Sequence, residues 1–222
     1  MLPGLGFPVR NLFCIGRNYA EHARELKNEI PTQPVVFTKP TGALTSGGEP
    51  IRLPAITENA HHEVEVVVAI GSKLNGSGLT PEDCIRAIAG IAVGIDVTAR
   101  DLQDVAKKKG LPWTLAKGLA SFAPVSDFIP KSEVGALDRL QLELQVNGET
   151  RQSGSTSDML FPIPALIAYL AENFGLDQGD LIFTGTPSGV GPLKAGDELL
   201  ARVTSGDGKH HRILDISVVD AG

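Results

Sequence analysis

The chain has 222 residues, is 42% hydrophobic and 21% charged, and carries a formal net charge of −6. That length supports one large domain or two small ones, with ample chain for a core. The negative charge argues against a nucleic-acid or anionic-membrane partner.

Cys14 and Cys84 are the only cysteines. They are too few for a disulfide framework or a zinc site and suit free thiols in a reducing compartment. The opening "MLPGLGFPVRNLF" lacks a charged region followed by a long apolar stretch, and no run reaches the ~18 residues of a membrane span. A cytoplasmic location is expected.

Residues 17–30 place Tyr19, Ala23, Leu26 and Ile30 on one helical stripe. A Pro/Gly-rich stretch over 31–58 follows, with short extended pieces such as "PVVFTKP". Val64 to Ile70 then reads as a strand entering a core, yet Glu63 and Glu65 stand at its start. Side chains at i and i+2 share a strand face, so these two carboxylates lie roughly 6–7 Å apart. Such like charges need a cation, a shared proton or water to relieve them; the plain alternative is a strand end still outside the core.

"LTPEDCIRAIAG" carries helix start and stop signals: Thr80 as N-cap, Pro81 at the first position, Asp83 completing a capping box and Gly90 as the stop. "IAVGIDVT" reads as a short strand, and "TARDLQDVAKKKG" as a helix with a second capping box, Thr98 with Asp101. Its "KKK" at 107–109 complements the helix dipole rather than marking a binding patch. Leu140, Leu142, Leu144 and Val146 alternate up to an Asn147-Gly148 hairpin turn. "PIPALIAYLAENFG" reads as a helix closed by Gly175, and the tail is strand-rich. Strands outnumber helices without regular alternation, which favours an α+β fold built on a rolled or sandwiched sheet.

Asp96 lies within "IAVGIDVT", where a carboxylate among apolar residues needs a partner. Converging with Glu63 and Glu65 from neighbouring strands, it would complete an oxygen-rich site for a hard divalent cation. His61 and His62 stand beside the pair, but no zinc spacing accompanies them, so they are expected behind the ligands or at the surface. His22 and Glu25 are neighbours at i and i+3 on a helix, where a carboxylate can orient an imidazole as a base; an ordinary solvated face is the alternative. "TGTPSGVGP" can offer backbone N–H groups but is not a Walker A loop, and a plain turn between strands fits it better than a ligand site. Spacing alone assigns nothing to Gln103 or Lys117.

Taken together, "IGRNYAEHARE", "KP", "HHEVEVVV", "GIDVTARDLQ", "KKKGLPWTLAKG", "VNGETRQSGSTSDM" and "GDLIFTGTPSGVGPL" follow one another as in the fumarylacetoacetate hydrolase family. The match resembles most its small acylpyruvase branch and runs from about residue 12 to 200. The resemblance implies a single catalytic domain over 1–222 with a short N-terminal arm of about 1–11, built as a β-sandwich roll with a few short helices, together with a homodimer and a Mg²⁺ or Mn²⁺ cofactor. It implies Glu63, Glu65 and Asp96 as metal ligands, and His22 with Glu25 as a catalytic dyad on a short helix that orders as a lid. Lys117 is implied as an active-site cation, with Gln103 and Thr186 contacting a small 2-oxo acid substrate.

The activity that follows is hydrolysis of the C–C bond of acylpyruvates to pyruvate and a carboxylic acid. Oxaloacetate decarboxylation or keto–enol isomerisation is the alternative at the same site, since all pass through an enolate. A non-enzymatic binding protein would need neither dyad nor triad.

Overall fold

The computed structural model describes residues 4, 6–25 and 30–221, with the backbone alone for 22–24. The elements in chain order are β1 (Leu12–Gly16), α1 (Ala20–Glu25), β2 (Val35–Lys39), β3 (Leu44–Thr45), β4 (Ile51–Leu53), β5 (Ala60–His62) and β6 (Val64–Ile70). Next come α2 (Pro81–Arg86), β7 (Ile88–Ile95), β8 (Thr98–Ala99), α3 (Arg100–Lys109), α4 (Thr114–Lys117), β9 (Ala123–Pro124), β10 (Ile129–Pro130) and α5 (Lys131–Val134). The chain continues through β11 (Gln141–Val146), β12 (Glu149–Ser155), α6 (Ile163–Asn173), β13 (Leu181–Phe183), β14 (Gly191–Pro192), β15 (Glu198–Thr204) and β16 (His211–Asp220).

These strands form a mixed six-stranded sheet in the order β10-β7-β6-β13-β1-β2 and a five-stranded sheet in the order β12-β11-β15-β16-β4. A three-stranded sheet, β14-β5-β8, and the pair β3-β9 complete the strand-rich α+β architecture expected from the sequence. The larger core packs between the two main sheets. It takes Val64, Val66 and Val68 of β6 with Ile91, Val93 and Ile95 of β7 on one side, and Leu142, Leu144 and Val146 of β11 on the other. A smaller cluster takes the opposite face of the six-stranded sheet, with Val67, Ala69, Ala92 and Phe183. Strand β6 is therefore buried on both faces, which explains its near-continuous apolar run.

Several local expectations hold. Thr80, Pro81 and Asp83 form the capping box of α2, and Asn147-Gly148 makes the hairpin turn with φ of 54° and 78°, the positive pair a type I′ turn requires. Lys107, Lys108 and Lys109 occupy the last turn of α3, and Gly175 follows α6 at φ 69°.

Others are corrected. Helix α2 ends at Arg86, and Gly90 lies inside β7. A Cβ there would stand 2.5 Å from the Ile129 carbonyl oxygen, so the glycine serves strand approach rather than helix termination. No capping box starts α3. The Thr98 hydroxyl donates to the Asp96 carbonyl, while Asp101 accepts from Thr57 and from the Glu58 and Leu102 amides. The expected helix over 17–30 is described as helical only over Ala20–Glu25, with Tyr19 buried just before it and Ile30 exposed. Leu26 lies outside the described residues, as do the side chains of His22 and Ala23.

Candidate active site

The register of the six-stranded sheet answers why β6 begins between two acids. Strands β6 and β7 pair Val64 with Ile95 and Glu65 with Gly94. Asp96, one residue beyond β7, donates its amide to the Glu63 carbonyl at 2.8 Å. Glu63, Glu65 and Asp96 thus project to the face that carries Val67 and Ala92 farther along, at its open end. All three are buried, and an oxygen from each lies within 4.8 Å of the others.

Three cations meet these acids. Lys117 Nζ donates to Glu63 Oε2 at 2.9 Å and to Asp96 Oδ2 at 2.6 Å. Arg100 Nη2 reaches Glu63 Oε1 at 2.5 Å, and Lys39 Nζ lies 2.6 Å from Asp96 Oδ1. Lys39 gives its hydrogens to the carbonyls of Val97, Lys117 and Phe122. Its ammonium therefore faces Asp96 Oδ1 as a charge, and that buried oxygen receives no hydrogen bond.

Burial would lower the Lys117 pKa, but Asp96 and Glu63 hold it above the ordinary value. For Glu65, burial first and then the charges of Asp96 and Glu63 push the carboxyl well above the usual range. The Gly185 N–H and Lys117 act against that rise.

This donor set fits a hard divalent cation. It is oxygen-only, its spread is close to the ~4 Å spanned by opposite ligands at ~2.0–2.1 Å, and Asp96 Oδ1 is an unsatisfied acceptor. Neither histidine joins the cluster. His61 Nε2 pairs with Asn59, and His62 Nδ1 pairs with Gln152.

The other candidates approach from three sides. Gln103 Oε1 accepts from Arg100 Nη1 at 2.7 Å, which leaves its Nε2 donors for other oxygens. In the "TGTPSGVGP" loop, the Gly185 amide donates to Glu65 Oε2 at 2.7 Å, and the Thr186 hydroxyl donates to the Val64 carbonyl. A Cβ on Gly185 would stand 2.7 Å from Asn18 Cβ, so close approach requires glycine there. Glu25 is held by the Gly189 amide at 3.1 Å. The loop that supports one acid of the triad thus also docks α1. The His22 backbone lies in α1 and its side chain is outside those described.

Three supporting residues carry at most a weak signal in the local sequence pattern: Lys39, Arg100 and Gln152. Gln152, on β12, accepts from the Val64 amide at 3.0 Å and donates to Thr186 Oγ1 at 2.8 Å and the Pro187 carbonyl at 2.9 Å. It joins the residue between the two glutamates to the 186–187 turn. Gln152→Ala should destabilise the fold by about 2–4 kcal/mol, because it strands a buried amide and a buried carbonyl. A urea denaturation midpoint within error of wild type would contradict this.

Residues 11–211 match the model of the fumarylacetoacetate (FAA) hydrolase C-terminal family. The chain is 47% identical over 195 residues to a mitochondrial oxaloacetate tautomerase of Homo sapiens, covering 87% of each protein. It is 43% identical over 199 residues to a mitochondrial oxaloacetate decarboxylase of Dictyostelium discoideum, covering 89% of this chain and 90% of that one. Among solved structures, fumarylpyruvate hydrolase from Pseudomonas aeruginosa in complex with Mn²⁺ and pyruvate superposes with a TM-score of 0.86 at 36% identity. The superposition covers 97% of this chain and 91% of the other. No helix among the described residues is long and apolar enough to cross a membrane. With a buried acidic triad framed by the sheet register, and with matches spanning nearly its whole length, the chain belongs to the fumarylacetoacetate hydrolase family of enzymes.

Proposed function

We propose that the protein is a divalent-metal-dependent enzyme of oxaloacetate that interconverts its keto and enol forms and, through the related enolate left when the bond to the far carboxylate breaks, releases CO₂. The observation that carries this reading is the charge balance of the site. Glu63 and Asp96 are in direct contact with Lys39, Arg100 and Lys117, and Glu65 beside them brings the carboxylates to three against three cations. A divalent ion added to that balanced set leaves two positive charges, which the two carboxylates of oxaloacetate neutralise. The names of the human and Dictyostelium relatives support the same substrate.

Glu63, Glu65 and Asp96 would hold Mg²⁺ or Mn²⁺, which supplies Lewis acidity toward a carboxylate and its adjacent 2-oxo oxygen. The chain's residues do the rest. His22, oriented by Glu25, moves the proton at the carbon next to the carbonyl. Lys117 and Gln103 present N–H donors to developing negative charge. Thr186 lines the substrate space while its hydroxyl holds Val64.

Acylpyruvate hydrolysis, the leading expectation from the sequence, is the second reading and is favoured by the likeness to the Pseudomonas hydrolase. A homodimer belongs to the same proposal; the exposed side chains of Val105, Leu111 and Leu115 support a further surface to cover. The buried free thiols of Cys14 and Cys84 support a reducing, cytoplasmic setting, and the acidic charge speaks against nucleic-acid or membrane partners.

The test is a product-resolved assay of oxaloacetate tautomerisation, CO₂ release and acetylpyruvate cleavage, with Mg²⁺ and with a chelator. Metal-dependent acceleration of the first two is expected. Cleavage of acetylpyruvate with oxaloacetate left at its uncatalysed rate would select the hydrolase instead.

A further inference from the structure

Helix α3 carries more than its dipole-matching lysines. Arg100, Gln103 and Lys107 stand at i, i+3 and i+7, one face of the helix. Arg100 is buried against Glu63 and Gln103 against Arg100, and Lys107, about a turn farther along, is exposed. The stripe therefore runs from the carboxylate cluster outward to solvent.

Aromatic contacts fix where its outer end lies. Lys107 Nζ sits 5.7 Å from the centre of the Trp113 ring, and Trp113 packs edge-on to Phe37 at 5.5 Å. The Phe37 ring in turn has Lys117 Nζ 4.9 Å from its centre. One aromatic pair thus separates Lys107 from the cation inside the cluster.

The backbone leading into a second cationic residue borders the same tryptophan. A Cβ on Gly16 would stand 3.8 Å from Trp113 Cζ3, so the chain passes beside that ring immediately before Arg17. Arg17 has φ 60°, a left-handed conformation uncommon outside glycine and found at functional turns. It redirects the chain from β1 toward α1, which bears His22 and Glu25.

Burial lowers the Lys107 pKa; the charges of Arg100 and Arg17 act in the same direction, and Asp104 and Glu63 act against them. The Lys107 ammonium thus lies within electrostatic reach of each of these four groups. Neither Arg17 nor Lys107 forms an ion pair among the described residues.

We propose that Arg17 and Lys107 form a cationic rim that binds the distal carboxylate of a dicarboxylic 2-oxo acid, making them specificity-determining residues. This rests on the oxaloacetate reading above and deepens it. The metal end of the site recognises the 2-oxo acid common to oxaloacetate and acylpyruvates. The rim recognises the group in which they differ, and a neutral acyl end gains nothing from it.

The probes are L-malate and 2-hydroxybutyrate, which differ by a carboxylate against a methyl group at the far carbon and contain no bond this site breaks. Their affinities are measured by calorimetry on the full-length protein loaded with Mg²⁺. Wild type should prefer malate. The double variant Arg17→Gln/Lys107→Gln should lose about tenfold of that preference, the scale of a charge-assisted contact. Lys108→Gln, off the stripe, should keep it.

Gln at 17 keeps the stem and the same backbone demand. Should that variant fail to fold, Lys107→Gln alone should lose about threefold. A preference retained within twofold, or both ligands weakened equally, overturns the rim. Wild type binding both ligands without preference overturns it too, with the metal-chelation reading left standing. If wild type binds neither ligand in the presence of Mg²⁺, that underlying reading fails, and the rim with it.

Discussion

Asp96→Asn should abolish stoichiometric binding of Mg²⁺ or Mn²⁺ and lower turnover of any 2-oxo acid by at least about 10³-fold. Lewis-acid stabilisation of a developing enolate is worth several kcal/mol, and each ~1.4 kcal/mol is tenfold in rate. The substitution is nearly isosteric, so it acts through charge. It removes the anion facing both Lys39 and Lys117 at 2.6 Å, leaving two buried ammonium groups with one fewer counter-charge. Breaking a buried pair from one side costs roughly 3–5 kcal/mol, so the melting temperature should fall as well. Lys39 keeps its three carbonyl acceptors, so the fold should survive with its secondary structure intact. Metal analysis, turnover and thermal melting on one preparation test all three statements. Wild-type metal content with lost activity would place Asp96 outside the ligand set.

The acids of this site are legible in the sequence because each breaks a local rule. Two glutamates at i and i+2 begin an apolar strand, and an aspartate follows one. Their convergence then comes from pairing register, which puts Asp96 across from Glu63. The cations break no such rule. Lys39 ends an edge strand, where lysine is the ordinary choice, and what buries it are the carbonyls of Val97, Lys117 and Phe122. A weak signal existed: Lys39 shares strand parity with Val35 and Phe37 rather than with Thr38. Gln152 sits in an exposed-looking stretch of β12 and meets Val64 only because the two sheets pack. The capping box misread at Thr98 and Asp101 has the same cause, since Thr57 and the Glu58 amide, more than forty residues away, take the Asp101 carboxylate. Patterns spanning a few residues reveal which groups are anomalous, whereas the partners that relieve them are chosen by long-range topology.

Replacing His22 by alanine should separate proton transfer from metal binding. The substitution leaves Glu63, Glu65 and Asp96 in place at the start of β6 and just beyond β7, so Mg²⁺ and oxalate should bind at near wild-type affinity. Glu25 should stay anchored, because its contact with the Gly189 amide is to backbone. That amide is itself fixed: Gly189 has φ 95°, and a Cβ there would lie 2.1 Å from the Arg151 carbonyl oxygen. What is lost is a positioned base, a contribution of roughly 10²–10⁴ in rate. Tautomerisation of oxaloacetate and hydrolysis of acylpyruvates both require that proton transfer, and both should fall by this factor. Decarboxylation breaks a C–C bond with no proton to abstract, so it should fall less, and the ratio of CO₂ release to tautomerisation should rise. The measurement is the ratio of the two rates in wild type and variant, with metal occupancy checked in each. A parallel fall of both activities with metal retained would make His22 a substrate-positioning residue, and loss of the metal would make it part of the ligand shell.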